Sequence, residues 1–293
     1  MPVMTTAEAE GLRVFRRGKV RDTFELDDDT LLMIATDRLS AFDVVLPTPI
    51  PEKGRVLTQM SRWWFAKTEH IVPNHLLPDD PSLLPPGQRE DWLQRSMRVR
   101  RADRIDIECV VRGFISGSGW KEYRKDATLA GEPLPAGLRE SSRLDHDRFT
   151  PAAKNDTGHD VNITRQNLAD VVGNELAQEL ERVSLELFAF ASRHCEERGI
   201  YLADTKFEFG HVDGRLTLID EIFTPDSSRF WDIAQWREGE SVTSLDKQPV
   251  RDFLETLDWD KTPPGPELPE PVAQATRQRY LEAAQRICDL DLR

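Results

Sequence analysis

The sequence turns on two short stretches, Leu202-Ala203-Asp204-Thr205-Lys206-Phe207-Glu208-Phe209-Gly210 and Leu218-Ile219-Asp220-Glu221-Ile222-Phe223. Strand side chains alternate between faces, so Asp204, Lys206 and Glu208 share one face. Ala203, Thr205, Phe207 and Phe209 take the other. Between the stretches lies Val212-Asp213-Gly214, an Asp-Gly hairpin signal. Folding back there brings Asp220 or Glu221 toward the charged face of the first strand. Carboxylates that share a site repel unless a cation joins them. Oxygen donors without His or Cys suit Mg²⁺, which is commonly held by one or two carboxylates plus nucleotide phosphates. The plainer reading is an exposed amphipathic hairpin laced with ion pairs.

Outward from this hairpin, Thr164 to Arg198 predicts a long helix. Ala169, Val172, Leu176, Leu180, Val183, Leu187 and Phe190 form its stripe, and Gly199 its stop. Leu245 to Leu257 and Val272 to Asp289 predict two further helices. Toward the N-terminus, Leu12–Phe15, Thr23–Leu26 and Leu31–Ala35 predict strands, followed by a helix over Thr58–His70. Met97–Arg100 and Ile105–Val111 predict two more strands. Gly113 to Gly119 breaks regular structure, so we expect two lobes, residues 1–113 and 114–293. Gly131 to Thr150 reads as loop.

The chain has 293 residues, 39 Lys+Arg against 52 Asp+Glu, and a formal net charge of −13. Such acidity argues against nucleic acid as the main partner, because phosphate backbones are held by clustered Lys and Arg. No apolar run approaches the roughly 20 residues of a membrane span. The N-terminal residues have no apolar signal core. Cys109, Cys195 and Cys288 are far apart and form no CxxC. A reducing, cytoplasmic setting follows as the expectation.

Other segments carry binding chemistry. Gly18-Lys19-Val20-Arg21-Asp22 predicts a flap-like turn with two basic side chains; it is not a Walker A loop. Thr36 to Asp43 places polar groups just after a buried strand. Arg112 leads from an apolar strand into Gly113 to Gly119, where Ser118 and free backbone N–H groups suit a phosphomonoester. Lys154 to Asp160 is a polar loop, and Thr224 to Trp231 offers Asp226 and Arg229 straight after the acidic strand.

Taken in this order, these stretches resemble the SAICAR synthetases, ligases of purine biosynthesis, in their longer single-function form. The resemblance implies an α+β, two-lobed fold: an antiparallel β N-terminal lobe like that of protein kinases and an α+β, ATP-grasp-like C-terminal lobe, with the nucleotide cleft between. It implies that ATP phosphorylates the carboxylate of the aminoimidazole ribotide CAIR, and that the amine of L-aspartate then displaces phosphate. By the same resemblance, Gly18, Lys19, Val20 and Arg21 bind the ATP phosphates, and Arg101, Ala102 and Asp103 lie in a hinge beside adenine. Glu208 and the Asp220/Glu221 pair hold Mg²⁺ near ATP, with Lys206, Glu208 and Asp220 as the catalytic set. Arg112, Ser118 and Arg229 bind the ribotide phosphate, and Lys154, Asp160, Asp204, Lys206 and Asp226 line the substrate side. ATP, CAIR and L-aspartate are then the only expected partners, with no nucleic acid and no membrane, and a monomer is compatible with this reading.

Two other readings compete. A small-molecule kinase of the same architecture would transfer phosphate and stop, but it would want a His-Arg-Asp-like loop, and none is present. A silent nucleotide-binding protein would be expected to have lost a carboxylate or Lys206, yet all stand. By the same resemblance, the six cations Lys19, Arg21, Arg112, Lys154, Lys206 and Arg229 converge on one cleft despite the acidic balance; were they scattered, that reading of the charge and the site assignment would fail.

Overall fold

In a computed structural model of the chain, residues 3–9, 11–84, 86–154 and 161–292 are described. Strands β1 (Arg13–Arg17), β2 (Arg21–Glu25) and β3 (Thr30–Ala35) form an antiparallel meander. A small ribbon follows, β4 (Ser40–Ala41) with β5 (Val44–Val45). Helices α1 (Lys53–Thr68) and α2 (Arg89–Arg95) precede β6 (Ser96–Arg100), which completes the first sheet in the order β1-β2-β3-β6.

The second sheet is built on β7 (Asp103–Phe114). After it come α3 (Gly117–Asp126), the ribbon β8 (Thr128–Leu129) and β9 (Glu132–Pro133), β10 (Arg143–Phe149), β11 (Ala152–Ala153) and β12 (Val161–Asn162). Helices α4 (Arg165–Val172) and α5 (Asn174–Glu196) lead to β13 (Ile200–Val212), β14 (Arg215–Ile219) and β15 (Ser228–Asp232). The sheet runs β12-β11-β7-β13-β14, with β10 also on β7 and β15 also on β13. Helices α6 (Gln248–Glu255) and α7 (Glu270–Cys288) close the chain. The architecture is the expected α+β pair of antiparallel sheets.

The decisive hairpin forms, but its second strand ends at Ile219, short of the Ile222 expected, so Asp220 and Glu221 follow it. Asp213 and Gly214 both take positive φ, 50° and 73°, as a tight turn between antiparallel strands requires. Phe207 and Phe209 are fully buried, while Glu208 registers with Ile219, the last residue of β14. One apolar core joins Leu31, Met97 and Val99 of the first sheet to Phe207 and Phe209 of the second, through Met60, Trp64 and Phe65 of α1. The segment Pro73 to Leu77 stitches the sheets together by backbone bonds. On one side Leu218 N–H donates to Pro73 (2.9 Å) and His75 N–H to Leu218 (3.2 Å); on the other Leu77 N–H donates to Arg98 (2.9 Å) and Arg100 N–H to His75 (2.8 Å).

Several expectations need correction. The region read as loop contains β10, whose Arg-Leu-Asp-His-Asp-Arg-Phe sequence offers only Leu144 and Phe149 to the core. The long helix is two, divided at Gly173, whose φ of 86° no right-handed helix accommodates. The first helix starts at Lys53, well ahead of Thr58. The division at residue 113 would cut β7 from the sheet it belongs to; sheet membership changes instead at Arg101-Ala102, between β6 and β7.

Gly54 at the start of α1 is pressed onto the end of β3. A Cβ there would lie 2.2 Å from the Ala35 carbonyl oxygen, and Gly54 N–H donates to the buried Asp37 at 3.0 Å. Gly54→Ala is therefore expected to destabilise the fold by about 2 kcal/mol or more. Denaturant unfolding checks this, and an unchanged midpoint would refute it.

Candidate active site

Asp204 of β13 organises one end of the cleft. Arg229 Nη1 donates to both its oxygens, at 2.9 and 2.6 Å, Ser116 Oγ donates at 3.0 Å, and Arg112 Nη1 at 3.4 Å. Arg112 is fixed further by Ser118 Oγ and Thr150 Oγ1, which accept from it at 3.1 Å each. Strand register explains the convergence: Asp204 opposes Arg112 on β7 and Arg229 on β15. Burial would raise the Asp204 carboxyl, but the two guanidinium groups outweigh it and hold it below the usual carboxylate range. Two guanidinium groups on one carboxylate leave a single positive charge over within the trio.

Beside it, β7 and β13 set Glu108 directly opposite Glu208. Like charges in register repel, and lysines relieve them: Lys206 Nζ lies 2.6 Å from Glu108 Oε1, and Lys154 Nζ 2.6 Å from Glu208 Oε1. Burial would depress the Lys206 ammonium, yet Glu108, Glu208 and Glu221 together hold it above its ordinary value.

Asp220 follows β14 with a φ of 64°, a conformation that Asp tolerates better than most residues. Arg21 of β2 reaches across from the first sheet to it, at 3.2 and 3.3 Å, and its Nη2 is 2.6 Å from Glu221 Oε2. Against the effect of burial, Asp220, Glu221 and Asp226 hold Arg21 well above its usual range. Thr224 Oγ1 donates to Glu221 at 2.5 Å.

Arg112, Ser118, Lys206, Asp226, Arg229 and Arg251 line a cleft of about 170 Å³. A separate hollow of about 190 Å³ lies between β7 and α5 and contains none of the expected site residues. Of the six expected cations, Arg112 and Arg229 meet on Asp204, and Arg21, Lys206 and Lys154 are linked through Glu221 and Glu208. Lys19 stands apart, ion-paired with Asp43 in the flap region. Arg101, Ala102 and Asp103 sit where the chain passes between sheets, with Arg101 over the Phe15 ring. Asp226 takes an anchoring position: Lys53 Nζ and Tyr280 OH each donate to it at 2.6 Å, and against the effect of burial Lys53, Lys247 and Tyr280 hold its carboxyl well below the usual range. Asp160 lies outside the described residues.

Sequence reasoning gave no site role to Glu108, Lys53, Thr150, Ser116 and Arg251, although Glu108, Lys53 and Ser116 lie in or beside the polar stretches it singled out. Glu108 was within reach, because it shares a strand face with Arg112 at period two. Lys53, from α1, meets the cleft only through tertiary packing. Asp37, singled out for its place after β3, is a buried tie: it accepts from Met4 N–H, Gly54 N–H and Arg95.

Among the described residues, no three acidic, His or Cys side chains are gathered as a preformed metal cluster. Glu208 faces Lys154, and Asp220 and Glu221 face Arg21. The donors are all carboxylate oxygens, which fits a Mg²⁺ ion that keeps waters and phosphate oxygens as its remaining ligands.

Residues 14–266 match the family model described as SAICAR synthetase. The chain belongs to the SAICAR synthetase family. A phosphoribosylaminoimidazole-succinocarboxamide synthase of Thermodesulfovibrio yellowstonii is 48% identical over 96% of this chain and 97% of its own. One from Desulfosudis oleivorans is 50% identical over 93% and 94%. A SAICAR synthase from Saccharomyces cerevisiae, solved with SAICAR, superposes with a TM-score of 0.89 at 38% identity, over 98% of this chain and 99% of that one. A SAICAR synthetase solved with ADP reaches 0.70 at 26% identity, over 95% and 99%. As a SAICAR synthetase, the protein is an ADP-forming ligase of purine biosynthesis that joins L-aspartate to CAIR. The two-lobed fold expected from the resemblance is the fold observed, and the kinase reading is not favoured.

Proposed function

We propose that the two ends of this cleft divide the reaction. The Arg112–Asp204–Arg229 trio, with Ser118, takes the ribotide phosphate, and its excess positive charge is the observation that carries the assignment. The carboxylate-rich end takes ATP beneath the flap of Gly18 to Arg21, with adenine against Arg101 to Asp103. Glu208 with Asp220 and Glu221 would hold Mg²⁺, which when bound supplies positive charge to the phosphates. A carboxylate oxygen of CAIR attacks the γ-phosphorus, and the bond from that phosphorus to the ADP oxygen breaks. The amine of aspartate then attacks the acyl carbon, loses a proton, and inorganic phosphate leaves. Lys206 neutralises charge at the transferring phosphoryl group, while Lys154 faces the substrate side. Catalysis here is positioning and charge neutralisation, with no nucleophilic side chain required. The reading keeps a cytoplasmic setting and small-molecule partners, in line with three free, buried thiols.

An ADP-release assay with CAIR and aspartate omitted in turn tests the reading. ADP formation that ignores aspartate would return the case to a kinase, and no turnover in any combination would sink both. Glu208→Gln is expected to abolish Mg²⁺-dependent turnover in a folded protein. Unchanged turnover, checked beside the circular dichroism spectrum, would remove Glu208 from the metal site.

A further inference from the structure

We infer that Arg38 is a positioning residue that turns two backbone N–H groups of the flap, those of Lys19 and Val20, toward the nucleotide phosphates. The inference rests on the flap reading above.

The Arg38 guanidinium is the hub of the flap's base. Its Nη2 donates to the Gly18 carbonyl at 2.9 Å and its Nε to the Lys19 carbonyl at 3.1 Å. The same group is fastened to the fully buried Asp22, at 2.9 and 3.2 Å, and to the Thr5 carbonyl at 2.6 Å. The turn is closed from within by Gly18 N–H donating to Arg21 at 2.7 Å, and Thr36 holds the Val20 carbonyl through its N–H at 2.9 Å and its hydroxyl at 2.8 Å.

In a trans peptide the C=O and the following N–H point to opposite sides of the chain. The Gly18 carbonyl belongs with the Lys19 N–H, and the Lys19 carbonyl with the Val20 N–H. Both carbonyls converge on one guanidinium, so both N–H groups face away from it. Neither N–H finds an acceptor among the described residues. Two successive N–H groups on the side away from Arg38 are then available as donors to an anion there. Arg38 thus serves through its carbonyl contacts without touching the ligand, and its planar fork is what lets one side chain reach three carbonyls and a carboxylate together.

The test is Arg38→Ala beside Lys19→Ala, with steady-state kinetics in all three substrates and hydrogen exchange of the folded proteins with and without ADP. Arg38→Ala is expected to raise the KM for ATP about tenfold, the scale of one lost charge-assisted bond. The KM values for CAIR and aspartate should barely move. ADP should slow exchange at the Lys19 and Val20 amides in the wild type and fail to do so in Arg38→Ala. Should Arg38→Ala not fold, Arg38→Lys decides: it keeps the charge beside Asp22 but lacks the fork, so an intermediate rise in the ATP KM is expected. If Lys19→Ala raises the ATP KM while the Arg38 variants leave it and the exchange unchanged, the positioning role is overturned. If Lys19→Ala and the Arg38 variants alike leave ATP binding untouched, the flap reading itself fails.

Discussion

Lys206→Met is expected to lower kcat by roughly two to three powers of ten, the usual scale for removing one preorganised electrostatic contact, while the KM for ATP changes little. The geometry concentrates the loss in the chemical step. Lys206 Nζ sits on Glu108, and Glu208 and Glu221 are its other charged neighbours. Without it, Glu108 would face Glu208 with only Lys154 to offset the pair. Lys206→Arg keeps the charge and should recover part of the rate. The pH profile gives an independent reading. Glu108, Glu208 and Glu221 hold the Lys206 ammonium above its ordinary value despite burial. Its charged form, and the stability linked to it, are therefore complete below the unfolded-state value and are lost only as pH rises through the higher folded value. No alkaline fall in kcat from this group should be seen up to the ordinary lysine range. Single-turnover rates for the Met and Arg variants would settle the matter, and a Met variant within a few-fold of wild type would remove Lys206 from the chemistry.

Arg229→Ala should act at the other end of the cleft. It is expected to weaken CAIR binding roughly 10- to 100-fold, as for the loss of one or two charge-assisted bonds, with a much smaller effect on ATP. Arg229 makes the two shortest bonds to Asp204 that a guanidinium contributes, 2.6 and 2.9 Å, against 3.4 Å from Arg112. Removing it leaves Asp204 balanced by Arg112 alone, and the excess positive charge disappears. Titration calorimetry with CAIR, and separately with ADP, checks the asymmetry. An equal or reversed effect on the two ligands would move the ribotide phosphate elsewhere.

How far the sequence could be read depended on the kind of signal each element leaves. The β13–β14 hairpin was legible because its period-two pattern and Asp-Gly turn are local. Strand β10 was not, because it pairs with β7 only near its two ends and carries five charged or His residues between few apolar ones. At the site, Arg112, Asp204 and Arg229 stood out by residue type and neighbouring Gly and Ser. Lys53 did not, since a lysine opening an amphipathic helix reads as solvated, yet here it is fully buried on Asp226. The pairing of Arg21 with Asp220 and Glu221 spans the two sheets, and no local pattern announces a contact at that sequence distance. Glu108 is the fairest lesson: its face was readable, and only its partner was not.

The stitch from Pro73 to Leu77 bears on how ligands enter. It bonds to β14 on one side and to β6 on the other, and the apolar core runs on beneath it from one sheet to the next. Opening the cleft by swinging one lobe from the other would break those bonds and expose that core together. The β1 edge of the flap carries neither burden, for it is an edge strand whose side chains are all exposed, while Arg21 at the flap's other end stays tied across to Asp220 and Glu221. Access therefore belongs to a moving lip on an otherwise stiff jaw, and hydrogen exchange should find Leu218 and Arg100 among the slow amides while β1 exchanges early.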